Sequence, residues 1–207
     1  MWGLLPMKIR IGLVIFASMG VGLAWSLYDN DLSLGNVLTR MVTTIPLLAI
    51  LGAGIGKYIK ASWIFPCRYG LDSWYPNLNG EWTGKLISTF LNEDASNEYD
   101  VTFNIDQRWS HIKILENAQK RSKKSTSRSK TLHVIPEKSD SEHRLWMIFQ
   151  GEVQNPEETD DQFFYGSSRL IYDKNTDTLY GHHWTNRAWQ RKMNTAGTLT
   201  LSRSEKQ

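Results

Sequence analysis

One cysteine, Cys67, in 207 residues leaves nothing for a disulfide framework or a Cys-rich zinc site. A lone thiol suits a reducing compartment. Catalytic signatures are missing too: there is no H-E-x-x-H, no P-loop and no G-x-S-x-G. His182 and His183 are adjacent, so on a regular strand they face opposite ways and cannot chelate one metal. Carboxylates are plentiful, but no spacing pairs them for acid–base work. The chain therefore reads as a non-enzyme that needs no metal and no cofactor; a hydrolase would require a convergent polar triad that is not visible. Charge of one sign is scarce over most of the length. The net +3 lies in residues 1–60, where Lys8, Arg10, Arg40, Lys57 and Lys60 oppose Asp29 and Asp31, and the remainder is balanced. That excludes a globally basic domain, and no nucleic-acid partner is expected.

Two long apolar runs are present instead. Ile11–Tyr28 holds no charged residue, and its 18 residues would span roughly 27 Å as a helix. Met41–Gly56 is the second run, extended by Leu38, Tyr58 and Ile59 if Arg40 and Lys57 snorkel. The pattern predicts two transmembrane helices, about 11–28 and 40–58, within a membrane segment 1–60. A cleaved signal peptide competes for the first run, but that run is longer than a signal core and a second one follows. A buried helix of a soluble core competes for the second. Lys8 and Arg10 precede the first run, Lys57, Lys60 and Arg68 follow the second, and the loop between carries only Asp. This asymmetry predicts a multi-pass protein with both termini cytoplasmic. Trp25, Tyr28, Tyr58 and Trp63 fall where interfacial aromatics belong. Small residues recur at helical spacing, with Gly20 and Gly22 in the first run and Gly52 and Gly56 in the second, marking candidate self-association faces. Pro46 is expected to kink the second helix.

A linker, 61–79, leads to an all-β region, 80–207. Strand-like runs fall near Glu81–Leu91, Tyr99–Ser110, His111–Ala118, Ser125–Pro136, Arg144–Gln154, Phe163–Asp173, Thr178–Arg187 and Thr195–Arg203, separated by turn residues such as Asp173-Lys174-Asn175. Eight sequential strands predict an up-and-down antiparallel β-barrel, which removes exposed edges; a sandwich is the alternative. Alternation puts Trp82, Gly84, Leu86 and Ser88 on one face, and likewise Val101, Phe103, Ile105, Gln107 and Trp109, and Gly181, His183, Thr185 and Arg187. An eight-stranded barrel is filled by side chains or holds one small ligand, and polar inward residues favour the ligand.

Asn79-Gly80-Glu81-Trp82-Thr83-Gly84 carries the G-x-W pattern that opens lipocalin-like barrels. There the Trp closes one end beneath an Arg, a part assigned here to Arg187. The basic stretch Lys120–Lys130 reads as a solvated hairpin tip or, beside anionic lipid, as a membrane-surface patch. Within it Ser125, Ser127 and Ser129 alternate inward. Glu152–Asp161 reads as an acidic, solvated loop.

These features occur in a telling order. After two spans come Tyr75-Pro76-Asn77-Leu78-Asn79-Gly80-Glu81-Trp82, Ile105-Asp106-Gln107-Arg108-Trp109, the Ser-rich strand, Gly151-Glu152-Val153, Tyr165-Gly166-Ser167-Ser168-Arg169-Leu170, and Leu179-Tyr180-Gly181-His182-His183-Trp184-Thr185-Asn186-Arg187. Over nearly its whole length the chain resembles the SMODS-associating two-transmembrane, β-strand-rich effector family of CBASS, the cyclic-oligonucleotide-based antiphage signalling system of bacteria. That pattern more often has Tyr where this chain has His183. The resemblance implies a barrel that binds a cyclic dinucleotide made by a partner nucleotidyltransferase. It also implies homo-oligomerisation and helices that disrupt the lipid bilayer of the inner membrane, so that the infected cell dies. Such a ligand offers two phosphodiester charges and two flat bases. Arg187, Gln107, Ser88 and Thr185 are the polar candidates to bind it, and Trp109 and His183 the stacking candidates, with Trp82 either a contact or structural. A membrane-tethered, lipocalin-like carrier of a small apolar ligand is the alternative, and it predicts an apolar cavity.

Overall fold

The structure is a computed structural model that describes residues 7–30, 32–56, 75–89, 97–108, 111–120, 126–139, 142–156, 158, 161–191 and 194–204. The chain forms two compact units, residues 1–60 with 108–110 and the remainder.

The first unit is a helical hairpin, α1 (Met7–Tyr28) and α2 (Leu34–Gly56). Ile11–Tyr28 within α1 is long and apolar enough to cross a membrane. Asn30, at φ 54°, ends α1 in the left-handed conformation that Asn tolerates. The Ser33 carbonyl accepts from Val37 N–H at 3.0 Å and opens α2, which runs on past Pro46. Ser18, Gly22 and Ser26 form a buried stripe at four-residue spacing on α1. A Cβ on Gly22 would lie 2.7 Å from Met41 Cγ and 3.2 Å from the Met41 backbone nitrogen, so Gly22 is part of the seam between the two helices. Nothing lies within 4 Å of the corresponding position at Gly20. The surroundings of Gly52 and Gly56 in α2 lie outside the described residues. Arg40, in the second turn of α2, pairs with Asp29 at 2.7 Å, donates to Ser26 Oγ at 3.3 Å and lies 5.7 Å above Trp25.

The second unit is a closed barrel in sequence order, β1 (Gly80–Ser88), β2 (Glu98–Gln107), β3 (Ile112–Lys120), β4 (Thr126–Lys138), β5 (His143–Val153), β6 (Phe163–Asp173), β7 (Thr178–Thr185) and β8 (Ala196–Arg203). Every neighbouring pair is antiparallel, and β8 closes on β1 from Trp82↔Arg203 to Ser88↔Gly197. The up-and-down barrel of the sequence reading is the observed fold. β4 carries the one register shift described, between Thr131 and His133, leaving Leu132 as an extra, outward residue.

Alternation decides what fills the lumen. β2 buries Val101, Phe103, Ile105 and Gln107, and β5 buries Leu145, Met147, Phe149, Gly151 and Val153. Trp82, Ile114, Leu170, Leu179, Leu199 and Leu201 join them, nearly inaccessible to solvent. Each fully buried side chain of this size stabilises the fold by about 1.5–3 kcal/mol. Gly151 and Gly166 make room for aromatic rings, because a Cβ on Gly151 would collide with Phe164 and one on Gly166 with Phe149. The lumen is thus packed with side chains through most of its depth.

Candidate functional site at the barrel mouth

The two ends of the barrel differ. One end is sealed by Tyr75–Asn79, which precede β1. The sequence reading put these residues at the close of the linker, yet Tyr75 and Leu78 are as buried as the core. Gln107, at the end of β2, holds the segment. Its Oε1 accepts from Leu78 N–H at 2.6 Å, its Nε2 donates to Pro76 O at 3.2 Å, and its own N–H donates to Asn79 Oδ1 at 2.7 Å. Trp82 Nε1 donates to Leu78 O at 2.9 Å. Tyr75 donates to Arg144 O at 3.0 Å and meets His143 edge-on at 5.7 Å.

The arginine over Trp82 is Arg203, 4.3 Å from the ring centroid, and not Arg187 as expected. Arg203 belongs to β8, the strand paired with β1 at Trp82, so its guanidinium reaches the plug directly. It donates to Asn79 O at 2.6 Å, to Asn77 O at 2.7 Å and to Asp177 at 2.7 Å. Burial alone would raise the Asp177 carboxyl, but the hydrogen bonds from Arg203 and Tyr172 and the Arg203 charge hold it below the usual range. Gln107 and Trp82 therefore act as fasteners of the sealed end, away from the polar cleft described next.

The opposite end opens on a cavity of about 40 Å³. The ends of β1, β3 and β7 and the starts of β2, β4 and β6 line it, together with Arg187 and Thr195 between β7 and β8. Four of the predicted residues meet here: Ser88, His183, Thr185 and Arg187. Arg187 sits at the rim, in the turn after β7. That turn is pinned by Asn186, whose N–H donates to Tyr165 O at 2.8 Å and whose Oδ1 accepts from Tyr165 N–H at 2.7 Å. The next residue, Ala188, is buried at φ 43°, a conformation that is strained for any residue with a Cβ, and its N–H donates to Asp161 at 2.8 Å. The Arg187 guanidinium lies 5.8 Å from the Phe164 ring.

Thr185 hydrogen-bonds Thr195 through both side chain and backbone. His183 is one inward position deeper. Its ring stacks on Phe149 at 5.0 Å and 20°, and its Nδ1 meets Ser168 Oγ at 2.9 Å. Burial lowers its pKa from 6.5 to about 4, so the ring is neutral at physiological pH. The expected stacking of His183 is thus taken up, in this structure, by Phe149. Trp109, the other stacking candidate, lies outside the described residues. The middle of the basic stretch, residues 121–125 with Ser125 among them, does so as well. Ser127 and Ser129 do face the cavity.

Sequence reasoning missed several wall residues: Tyr99, Phe164, Thr195 and above all Glu116. Glu116 is 3% exposed, its Oε2 has no hydrogen-bond partner, and burial raises its pKa from 4.5 to about 8. The available signal was a carboxyl inside the alternation Ile112, Ile114, Glu116, Ala118. Leu115 beside it obscured which face was inward until the pairing of β3 with β2 fixed the register. Among the described residues no cluster of His, Cys, Asp and Glu is placed to hold a metal.

A closed barrel with one end stapled and the other presenting a polar, arginine-rimmed cleft is built as a small-molecule receptor. Comparison with known proteins gives the family. Residues 73–203 match the model described as Cap15, cyclic dinucleotide receptor domain. The whole chain is 31% identical over 204 residues to CD-NTase-associated protein 15 of Escherichia albertii, covering 98% of each. The chain belongs to this family of CBASS effectors, a receptor family and not a known family of enzymes. No solved structure matches it.

Proposed function

We propose that this protein is a ligand-gated membrane effector of CBASS. A cyclic dinucleotide released by a partner nucleotidyltransferase binds at the barrel mouth. The bound protein self-associates in the inner membrane, and the α1–α2 hairpin, with both chain termini cytoplasmic, breaks the bilayer and kills the infected cell. The observation that carries this reading is the mouth of a Cap15 receptor barrel, where Ser88, His183, Thr185 and Arg187 converge. Arg187 supplies a forked, permanently charged donor for a phosphodiester, and the buried Ser88 and half-buried Thr185 hydroxyls supply neutral partners. A carrier of an apolar ligand would have no use for the Arg187 charge at the rim.

A cavity of about 40 Å³ has room only for a few ordered waters, whereas sites for drug-sized ligands run to about 300–1,000 Å³. Binding therefore widens the mouth, with Arg187 and Phe164 the side chains to be displaced. That requirement gives the ligand a differential affinity for a second state, the condition for driving assembly. No cofactor takes part, and the barrel turns nothing over.

The test is calorimetry on the full chain in detergent with cyclic di-AMP, cyclic di-GMP, cyclic di-UMP and the mixed adenine–uracil and adenine–guanine dinucleotides. Saturable binding of at least one is expected, with a large loss in Arg187→Ala. Silence toward all of them overturns the reading.

A further inference from the structure

Glu116 is the group in the barrel that the fold itself leaves unexplained. A carboxyl at an inward position between Ile114 and Ala118 is unfavourable unless it is hydrogen-bonded, and buried polar atoms nearly always are. Yet Oε2 of Glu116 has no partner. Around it the wall is polar and donor-bearing: Ser129 is its cross-strand neighbour on β4, and Ser88, His183 and Arg187 line the same cavity. Among the described residues no lysine or arginine is paired with Glu116 in an ion bridge. Position along the strands also matters. Arg187 stands at the rim, whereas Glu116 lies one inward position deeper than Ala118, so a ligand whose phosphates stay with Arg187 brings its flat rings down toward Glu116.

We propose that Glu116 is a direct ligand contact, hydrogen-bonding the edge of a nucleobase that enters the widened mouth. The inference rests on the reading of the barrel as a cyclic dinucleotide receptor and adds which part of the ligand this residue meets. A phosphate oxygen only accepts, so it would leave the acceptor half of a neutral carboxyl unused. A base edge presents donor and acceptor atoms side by side, and a neutral carboxyl offers one of each. Burial keeps Glu116 neutral up to about pH 8, so the acid enters the complex protonated and a dianionic ligand meets no opposing charge. The ligand thereby supplies the partner that Oε2 lacks.

The other titratable groups of the cavity wall are Tyr99 on β2, His183 on β7 and Arg187 beyond it; β1, β4 and β6 contribute Ser, Leu and Phe. His183 is already neutral throughout the range in question. Glu116→Gln, which keeps one donor and one acceptor without the titration, isolates the Glu116 contribution from theirs.

The experiment is calorimetry on the full chain in detergent, with the same five dinucleotides, from pH 6 to pH 9, for wild type, Glu116→Gln and Glu116→Ala. Melting curves followed by tryptophan fluorescence establish that each variant is folded. For wild type, affinity should fall as pH rises past about 8. Glu116→Gln should bind within about threefold of wild type at pH 7 and lose that fall, because the amide reproduces the hydrogen bonds of the neutral acid. Glu116→Ala should lose about tenfold or more for the preferred dinucleotide, the worth of one hydrogen bond, and should narrow the differences among the five. Equal weakening toward all five would overturn the assignment to a base. Unchanged binding in Glu116→Ala would overturn the contact altogether. Both results leave the receptor reading intact, whereas silence of the wild type overturns that reading and this inference with it.

Discussion

Two buried residues in the mouth titrate in opposite senses. His183 has its folded-state pKa depressed to about 4 from 6.5. The unfolded chain therefore takes up a proton first as the pH falls, and the stability associated with the neutral ring is present above pH 6.5 and lost on the way down to about 4. Glu116 has its folded-state pKa raised to about 8 from 4.5, so its contribution is present below pH 4.5 and lost as the pH rises toward 8. Between pH 6.5 and 4.5 the two slopes oppose and largely cancel, whereas toward pH 8 the Glu116 loss stands alone. In His183→Asn that cancellation should be lifted, so stability in thermal melts followed by tryptophan fluorescence should rise as the pH falls from 6.5 to 4.5, and the fall toward pH 8 should remain. A variant that stays flat across that window would place the compensation elsewhere. The neutral His183 stacks on Phe149 and bonds Ser168 as an uncharged group, so in the recognition proposed above it would give the mouth shape and Arg187 would give it charge.

At the scale of the elements, all eight strands were legible in the sequence to within a few residues, and β6 to the residue. The reason is physical. Each strand has one wet and one buried face, so period-two alternation is strong, and turn residues punctuate it. The inward face of β7 was legible for the same cause, which is how His183, Thr185 and Arg187 came to be placed on one side of it. Depth along the barrel was not legible. Alternation says inward but not which end, so Gln107 and Trp82 shared a list with Ser88 although they fasten the sealed end. The partner of Trp82 was equally hidden, because Arg187 and Arg203 are both near the last strands and only the β1–β8 register selects Arg203. The glycines of β5 and β6 carry a further consequence of pairing. A methyl at Gly166 would meet both the Phe149 ring and the Trp184 carbonyl oxygen. Gly166→Ala should therefore lower stability by about 1–3 kcal/mol, as overpacking of a filled core does, seen as an earlier melting transition. It should also disturb the ring on which His183 rests. A neutral effect would mean that the wall yields more readily than close packing allows.

For the whole molecule, the two units divide the labour proposed above. The seam of the hairpin consumes Ser18, Gly22 and Ser26, while Gly20 faces open space. Of the two glycines marked on α1, Gly22 is thus engaged within its own chain, and Gly20 is left available for a second copy. In cells producing the full chain with its partner nucleotidyltransferase, entry of a membrane-impermeant dye should follow messenger synthesis. Gly20→Leu should reduce that entry while leaving calorimetric affinity unchanged, since the substitution lies in the helical unit and the proposed ligand site lies in the barrel. Dye entry that persists in Arg187→Ala, with ligand binding gone, would detach membrane damage from messenger recognition.

The stapled end has one more implication. Arg203 reaches Asn79 across 124 positions of chain, and β8 is hydrogen-bonded to both β1 and β7. The ring has no partial form: seven strands leave two raw edges, and the rivet that locks the plug arrives with the eighth. On the function proposed above, a polypeptide still on the ribosome would therefore be deaf to any alarm in circulation. Hearing would begin only after the eighth strand is released, so translation itself would act as the safety catch.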